Sequence, residues 1–161
     1  MKKIAFEIKW AIIFTSVLLL WMVLERVAGL HDQYIHLHSV YSNLFIVAAA
    51  AVYVFAFKAR KKILGGEMSY RQAFTSGIII SLFVMMLTPL SQYIVSTIIT
   101  PHYFENAIRY SVEKNYLTAE KAAEYFSLKN YIIQSTIFAP IAGIIISAIV
   151  ALFFMTKKKP A

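Results

Sequence analysis

The histidines of this chain lie in two polar segments that also carry carboxylates. Three of them follow the first apolar stretch together with one aspartate, and the fourth opens a later polar segment: His31, Asp32, His36, His38 and His102. Neutral imidazole nitrogens and carboxylate oxygens bind zinc or copper when they converge on one point. The alternative is a set of hydrogen-bonded histidines at a membrane interface. The candidate metal ligands are therefore predicted to be His31, Asp32, His36 and His102.

A second group of polar residues lies within the apolar stretches. Thr88, Gln92 and Ser96 recur at i, i+4 and i+8, which places them on one face of a helix. Asn43 and Gln134 are expected at a similar depth on neighbouring helices. These five side chains predict either a polar pocket that opens outward and lines a transport path, or interhelical hydrogen bonds worth roughly 0.6 kcal/mol each.

Other kinds of chemistry are excluded or disfavoured by residue type. The chain has no cysteine, which excludes disulfides, thiolate metal sites and a cysteine nucleophile. It contains no phosphate-binding glycine loop, no His-Glu-x-x-His motif and no Gly-x-Ser-x-Gly motif. We therefore expect a protein that is not an enzyme, and we predict no cofactor.

Four long apolar stretches must position these polar residues. Of the 161 residues, 60% are hydrophobic, against about 45–50% in typical soluble domains. Uncharged runs of about 20 residues can cross roughly 30 Å of hydrocarbon as helices, and these runs show no period-two alternation. The sequence predicts an all-α membrane protein, a single integral domain with a four-transmembrane-helix bundle. Its spans are predicted at residues 4–28, 37–57, 73–99 and 130–156.

The position of the charges predicts the orientation of these spans. The net charge is +8, and lysine and arginine concentrate near the N-terminus, in residues 58–71 and in the C-terminal tail. The positive-inside rule then places both termini and residues 58–71 in the cytoplasm. We expect a multi-pass protein of a bacterial inner membrane. Because span ends explain the basic residues, nucleic acid is not an expected partner. Glu25 and Arg26 would end the first span as interface anchors, with Glu25 a possible partner for a histidine.

Residues 101–129 form the long connection on the opposite side from residues 58–71. Apolar residues recur at i, i+4 and i+8 from Phe104, and charged residues do so from Glu105. Thr118 can cap a second short helix after a break at Asn115. The pattern predicts short amphipathic helices lying on the outer membrane face between the third and fourth spans.

Small residues predict where the helices approach one another. Ala139, Gly143, Ser147 and Ala151 recur every four residues on the fourth span, and Gly77 begins a similar stripe on the third. Such stripes allow close backbone contact. We expect them to pack a compact bundle, with a homodimer seam as the alternative.

Several segments together carry a resemblance to a known family. They are residues 2–11, 20–22, 25–26, 29–32, 68–74, 88–93, 100–104, 118–122 and 131–134. The chain resembles a bacterial family of small four-helix membrane proteins whose domain has no assigned function. The resemblance covers nearly the whole chain, and it implies the topology but no residue roles.

Three functions are compatible with these observations. The first is a scaffold or accessory protein that presents the helices of residues 102–129 to a partner or to the outer leaflet. The second is a small oligomeric transporter or channel that uses the polar stripe, and the third is an outward-facing metal-binding membrane protein. The expected partners are membrane lipid, another membrane or periplasmic protein, or further copies of the chain.

Overall fold

A computed structural model describes residues 4–156, and every regular element in that range is helical. Of the basic residues of the chain ends used to predict orientation, Lys9 lies within this range, whereas Lys2, Lys3 and residues 157–159 lie outside it. The elements in chain order are α1 (Ala5–Val27), α2 (Ile35–Ser42), α3 (Phe45–Ile63), α4 (Tyr70–Ile94), a π-helix (Val95–Ile99), α5 (Tyr103–Glu113), α6 (Ala119–Tyr125) and α7 (Leu128–Phe154).

Four helical segments are long and apolar enough to cross a membrane: Ala5–Val27, Ile35–Ile63, Tyr70–Ile99 and Leu128–Phe154. The second joins α2 to α3, and the third joins α4 to the π-helix. The predicted all-α arrangement of four helices is therefore confirmed. Large apolar side chains on these segments are exposed, among them Leu20, Ile46, Leu90 and Ile137. They form the surface that hydrocarbon would cover.

The core depends on the close approach of α4 and α7, which form the most extensive interhelical contact. A Cβ atom added to Gly143 would lie 2.8 Å from the Ser81 Cβ and 2.7 Å from the Tyr53 hydroxyl. A Cβ atom added to Gly77 would lie 2.5 Å from the Ser147 Cβ. The Tyr53 hydroxyl lies 2.8 Å from the Ser81 Oγ, which connects α3 to this contact. The predicted stripes of small residues thus pack the bundle.

One end of the bundle is closed by the turn between α3 and α4, and we call it the hairpin end. Gly65 and Gly66 both adopt positive φ, at 79° and 96°, which lets the chain reverse tightly. Ser69 then begins α4 through a capping box with Gln72. The end of α7 is attached here, because the Thr156 N–H donates to the Met68 carbonyl over 2.8 Å.

The opposite end carries residues 28–44 together with α5 and α6, and we call it the histidine end. The Thr118 side chain accepts from the Lys121 N–H, so the predicted cap of the second short helix is confirmed. Asn115, with φ at 57°, marks the break between α5 and α6. These short helices pack on the span ends and on α2.

Candidate functional site

After α1 ends, the chain turns back, so that a histidine beyond the helix lies against a glutamate within it. Gly29 adopts φ of 76°, its N–H donates to the Arg26 carbonyl, and the Leu30 N–H donates to the Glu25 carbonyl over 3.0 Å. This pair of bonds is a Schellman motif, which requires a left-handed residue after the helix. The turn reverses the chain, so that His31 lies against Glu25.

The second histidine comes from α2. The His38 Nε2 lies 3.5 Å from the Glu25 Oε2, and its Nδ1 lies 3.4 Å from the Tyr103 hydroxyl on α5. The Tyr103 hydroxyl also lies 3.1 Å from that of Tyr131 on α7. Burial raises the pKa of the Tyr103 hydroxyl, which therefore stays protonated and available for hydrogen bonding.

Glu25 is the centre of this site, which we call the Glu25 cluster: Glu25, His31 and His38. Its Oε2 faces both imidazoles, with the His31 Nε2 at 3.1 Å, and its Oε1 accepts from the Trp21 Nε1. Glu25 and His31 are each 3% exposed. A carboxylate this deeply buried requires compensation by donors or by a cation.

The arrangement has the composition of a metal centre. One ligand atom from each residue of the Glu25 cluster lies within 4.8 Å of the other two. A tetrahedral zinc ion holds neighbouring ligand atoms about 3.3 Å apart, close to both distances from the Glu25 Oε2. The contact of the His38 Nδ1 with the Tyr103 hydroxyl would orient the imidazole if its other nitrogen bound an ion. The buried Nδ1 of His31 has no hydrogen-bond partner among residues 4–156.

A cleft of about 290 Å³ adjoins the site at His38 and is also lined by His36, by Tyr103 and by other residues of α5. His38 keeps 20% of its side chain exposed, whereas Glu25 and His31 are enclosed. An ion would therefore reach the Glu25 cluster past His38.

The structure brings only one of the four predicted metal ligands, His31, to this site. The Asp32 Oδ1 accepts from the Asn106 Nδ2 over 2.7 Å, on the surface. His36 is exposed on α2. The His102 Nδ1 lies 3.7 Å from the Glu105 Oε2, with both side chains about three-quarters exposed.

The residues of the predicted polar pocket make mostly local hydrogen bonds. The Thr88 hydroxyl donates to the Val84 carbonyl, and the Asn43 amide donates to the Ser39 carbonyl. The Gln92 amide reaches Ser96 on its own segment at 3.3 Å and accepts from Ser135 on α7 at 3.4 Å. Gln134 is half-buried. The Ser135–Gln92 contact fits the interhelical alternative, and among the five predicted residues these bonds join only Gln92 and Ser96.

Glu25 and His38 are the site residues that sequence reasoning left outside its candidate set. Glu25 was interpreted as an interface anchor, although a buried ionisable group at a span end is itself a signal of function. The glycine four residues after it was a further signal, because a left-handed turn returns the chain toward the last helical turn.

The fold and the site together define a multi-pass α-helical membrane protein with a buried acid–histidine cluster at one end of its bundle. The chain belongs to the family described as "Protein of unknown function (DUF4199)", which matches residues 9–156. No curated protein and no solved structure matches the chain.

Proposed function

We propose that this protein binds a divalent transition-metal ion at its histidine end, through Glu25, His31 and His38. The observation that carries the proposal is the Glu25 Oε2, which faces two imidazole nitrogens at 3.1 Å and 3.5 Å in an enclosed site. A divalent cation held between the Glu25 carboxylate and the nitrogen lone pairs of the two imidazoles would balance the buried negative charge.

The donor set indicates which ions are suitable. Two imidazoles and one carboxylate suit zinc or ferrous iron, whereas calcium and magnesium prefer oxygen ligands. Three protein ligands leave at least one coordination position for water or another small ligand. The proposed activity is binding rather than catalysis.

Metal binding has more support than the two other functions considered. A channel or transporter would need a continuous polar path, and the hydrogen bonds of Thr88 and Asn43 end on carbonyls of their own helices. A scaffold would use the surface of α5 and α6. That surface does not account for the buried carboxylate of Glu25.

We also propose a position in the cell. Basic residues flank the hairpin end, including Lys58, Lys61 and Lys62, and the positive-inside rule would place that end in the cytoplasm. The histidine end would then face the outside of a bacterial inner membrane, with both chain termini inside. A metal ion would reach the site from the periplasm.

The test is zinc binding to the detergent-purified protein, measured by calorimetry and by metal analysis. We expect one zinc ion per chain, and at least about 100-fold weaker binding in His31→Ala and in His38→Ala, since losing even a supporting residue typically costs 10–100-fold. Cobalt loading provides a second readout, because its visible spectrum reports nitrogen and oxygen ligation.

The matched control is His102→Ala, which removes an exposed histidine that lies at the same end of the bundle and does not line the cleft. It should bind zinc as the unmodified protein does. Absence of binding by the unmodified protein, or equal loss in the control variant, would refute the proposal.

A further inference from the structure

The hairpin end contains a second enclosed acid, in a setting different from that of Glu25. Glu7 is 1% exposed, and its Oε1 accepts from the Ser76 hydroxyl over 2.8 Å. The Arg60 Nη1 lies 3.6 Å from the same oxygen. The Glu7 Oε2 and the Arg60 Nε are buried without a hydrogen-bond partner among residues 4–156. Both groups of this ion pair therefore retain unused hydrogen-bonding capacity.

A cleft of about 290 Å³ opens beside this pair, between α1, α3 and α4. Its lining includes Glu7, Arg60, Ser69, Arg71, Ser76 and Ile79. The volume is at the lower limit of ligand pockets, which suits a small polar group rather than an extended ligand.

The cleft lies at the level of a membrane interface. Glu7 is near the start of α1, Arg60 is near the end of α3, and Arg71 is in the first turn of α4. The ends of three spanning segments therefore meet here. Ile79 lies about 12 Å deeper along α4 than Arg71, so the lining changes from charged to apolar in the direction of the bilayer.

The charges of the cleft indicate the chemistry of its ligand. Arg60 and Arg71 provide guanidinium donors, which suit a phosphodiester. The Ser69 Oγ accepts from the Gln72 N–H, so its own O–H remains able to donate. Glu7 adds an acceptor that would repel a purely anionic group and attract an ammonium.

We propose that this cleft binds the headgroup of an ethanolamine phospholipid. The phosphate lies against Arg71 and Arg60, the ammonium donates to Glu7, and the start of an acyl chain lies along Ile79. Basic sites between membrane helices commonly bind anionic headgroups. The enclosed carboxylate distinguishes this site, because it selects a headgroup that carries a positive charge and a hydrogen-bond donor.

The test is lipid binding to the full chain in detergent, with native mass spectrometry and thermal unfolding as readouts. Phosphatidylethanolamine should bind about tenfold tighter than phosphatidylglycerol, which has no cation for Glu7, and than phosphatidylcholine, whose quaternary ammonium cannot donate. The soluble headgroup glycerophosphoethanolamine should stabilise the protein much less than the lipid, because it lacks the acyl chains.

Two variants separate the parts of the site. Glu7→Gln should remove the preference for phosphatidylethanolamine over phosphatidylglycerol, and Arg71→Gln should weaken binding of both lipids about tenfold. Lys58→Gln is the matched control, because Lys58 is exposed at the same end and does not line the cleft. Arg71 is exposed, so its variant remains informative if Glu7→Gln fails to fold.

Three results would overturn the proposal. One is equal binding of the three lipids, and another is tightest binding of phosphatidylglycerol. The third is stabilisation by the soluble headgroup as strong as that by the lipid, which would assign the cleft to a water-soluble ligand. Zinc binding at the histidine end does not enter these measurements, so the two proposals fail independently.

Discussion

Each end of the bundle contains one buried glutamate of α1, and the two glutamates have opposite chemical surroundings. Glu7 and Glu25 are 18 residues apart on α1, which is about five turns, so both project from one side of the helix about 27 Å apart. At the histidine end the carboxylate faces two imidazoles. At the hairpin end it faces a guanidinium and a serine hydroxyl.

The difference shows that the partners of a buried carboxylate decide what it can bind. An imidazole has a nitrogen lone pair that can join the carboxylate in holding a cation. A guanidinium has only donors and remains charged, so it excludes a metal ion and provides hydrogen bonds to an anion instead. Two similar acids thus support two different proposals, a metal site and a headgroup site.

The largest expected effect tests how much the α4–α7 contact, which lies between the two ends, contributes to stability. Gly143→Leu should lower the free energy of unfolding by about 3 kcal/mol or prevent folding, since its side chain would overlap Ser81 and Tyr53. Thermal unfolding in detergent measures the change. Ala142→Leu is the control, because Ala142 is exposed on the same helix and should tolerate the larger side chain.

The most direct test of the difference between the two acids replaces each glutamate by glutamine. Glu25→Gln should weaken zinc binding about 100-fold, or about 2.7 kcal/mol, because a neutral amide is a poor ligand and cannot balance the ion's charge. Glu7→Gln should leave zinc affinity unchanged. Equal losses in a calorimetric titration would show that zinc does not distinguish the two ends.

The smallest expected effect tests whether Tyr103 orients an imidazole of the Glu25 cluster. Tyr103→Phe removes the hydroxyl beside the His38 Nδ1 and should weaken zinc binding about tenfold, as expected for a residue that orients a ligand. The fold should be retained, because the ring and its contacts remain. The control is Tyr110→Phe, a variant on the same helix whose zinc affinity is measured in the same way. An unchanged zinc affinity in Tyr103→Phe would exclude this positioning role.

Much of the architecture could be predicted from the sequence. The apolar stretches specify four spanning helices, since a backbone in hydrocarbon must satisfy its own hydrogen bonds. The spacing of Gly143 and Ser147 indicated a close-packed face, and Thr118 marked the start of α6. These features depend on neighbours within a few turns of one helix, and such periodicity is visible in the chain itself.

Contacts between polar side chains that are distant in sequence depend on tertiary packing. Residue type favoured Asp32 and His102 as ligands, yet the packing of α5 engages Asp32 with Asn106 and leaves His102 on the surface. His38 reaches Glu25 because α2 folds back beside the end of α1, and Glu7 meets Arg60 across two helices. Hydrophobicity along the chain determined that these helices lie in a membrane, whereas their rotation and the turn at Gly29 determined what each carboxylate faces.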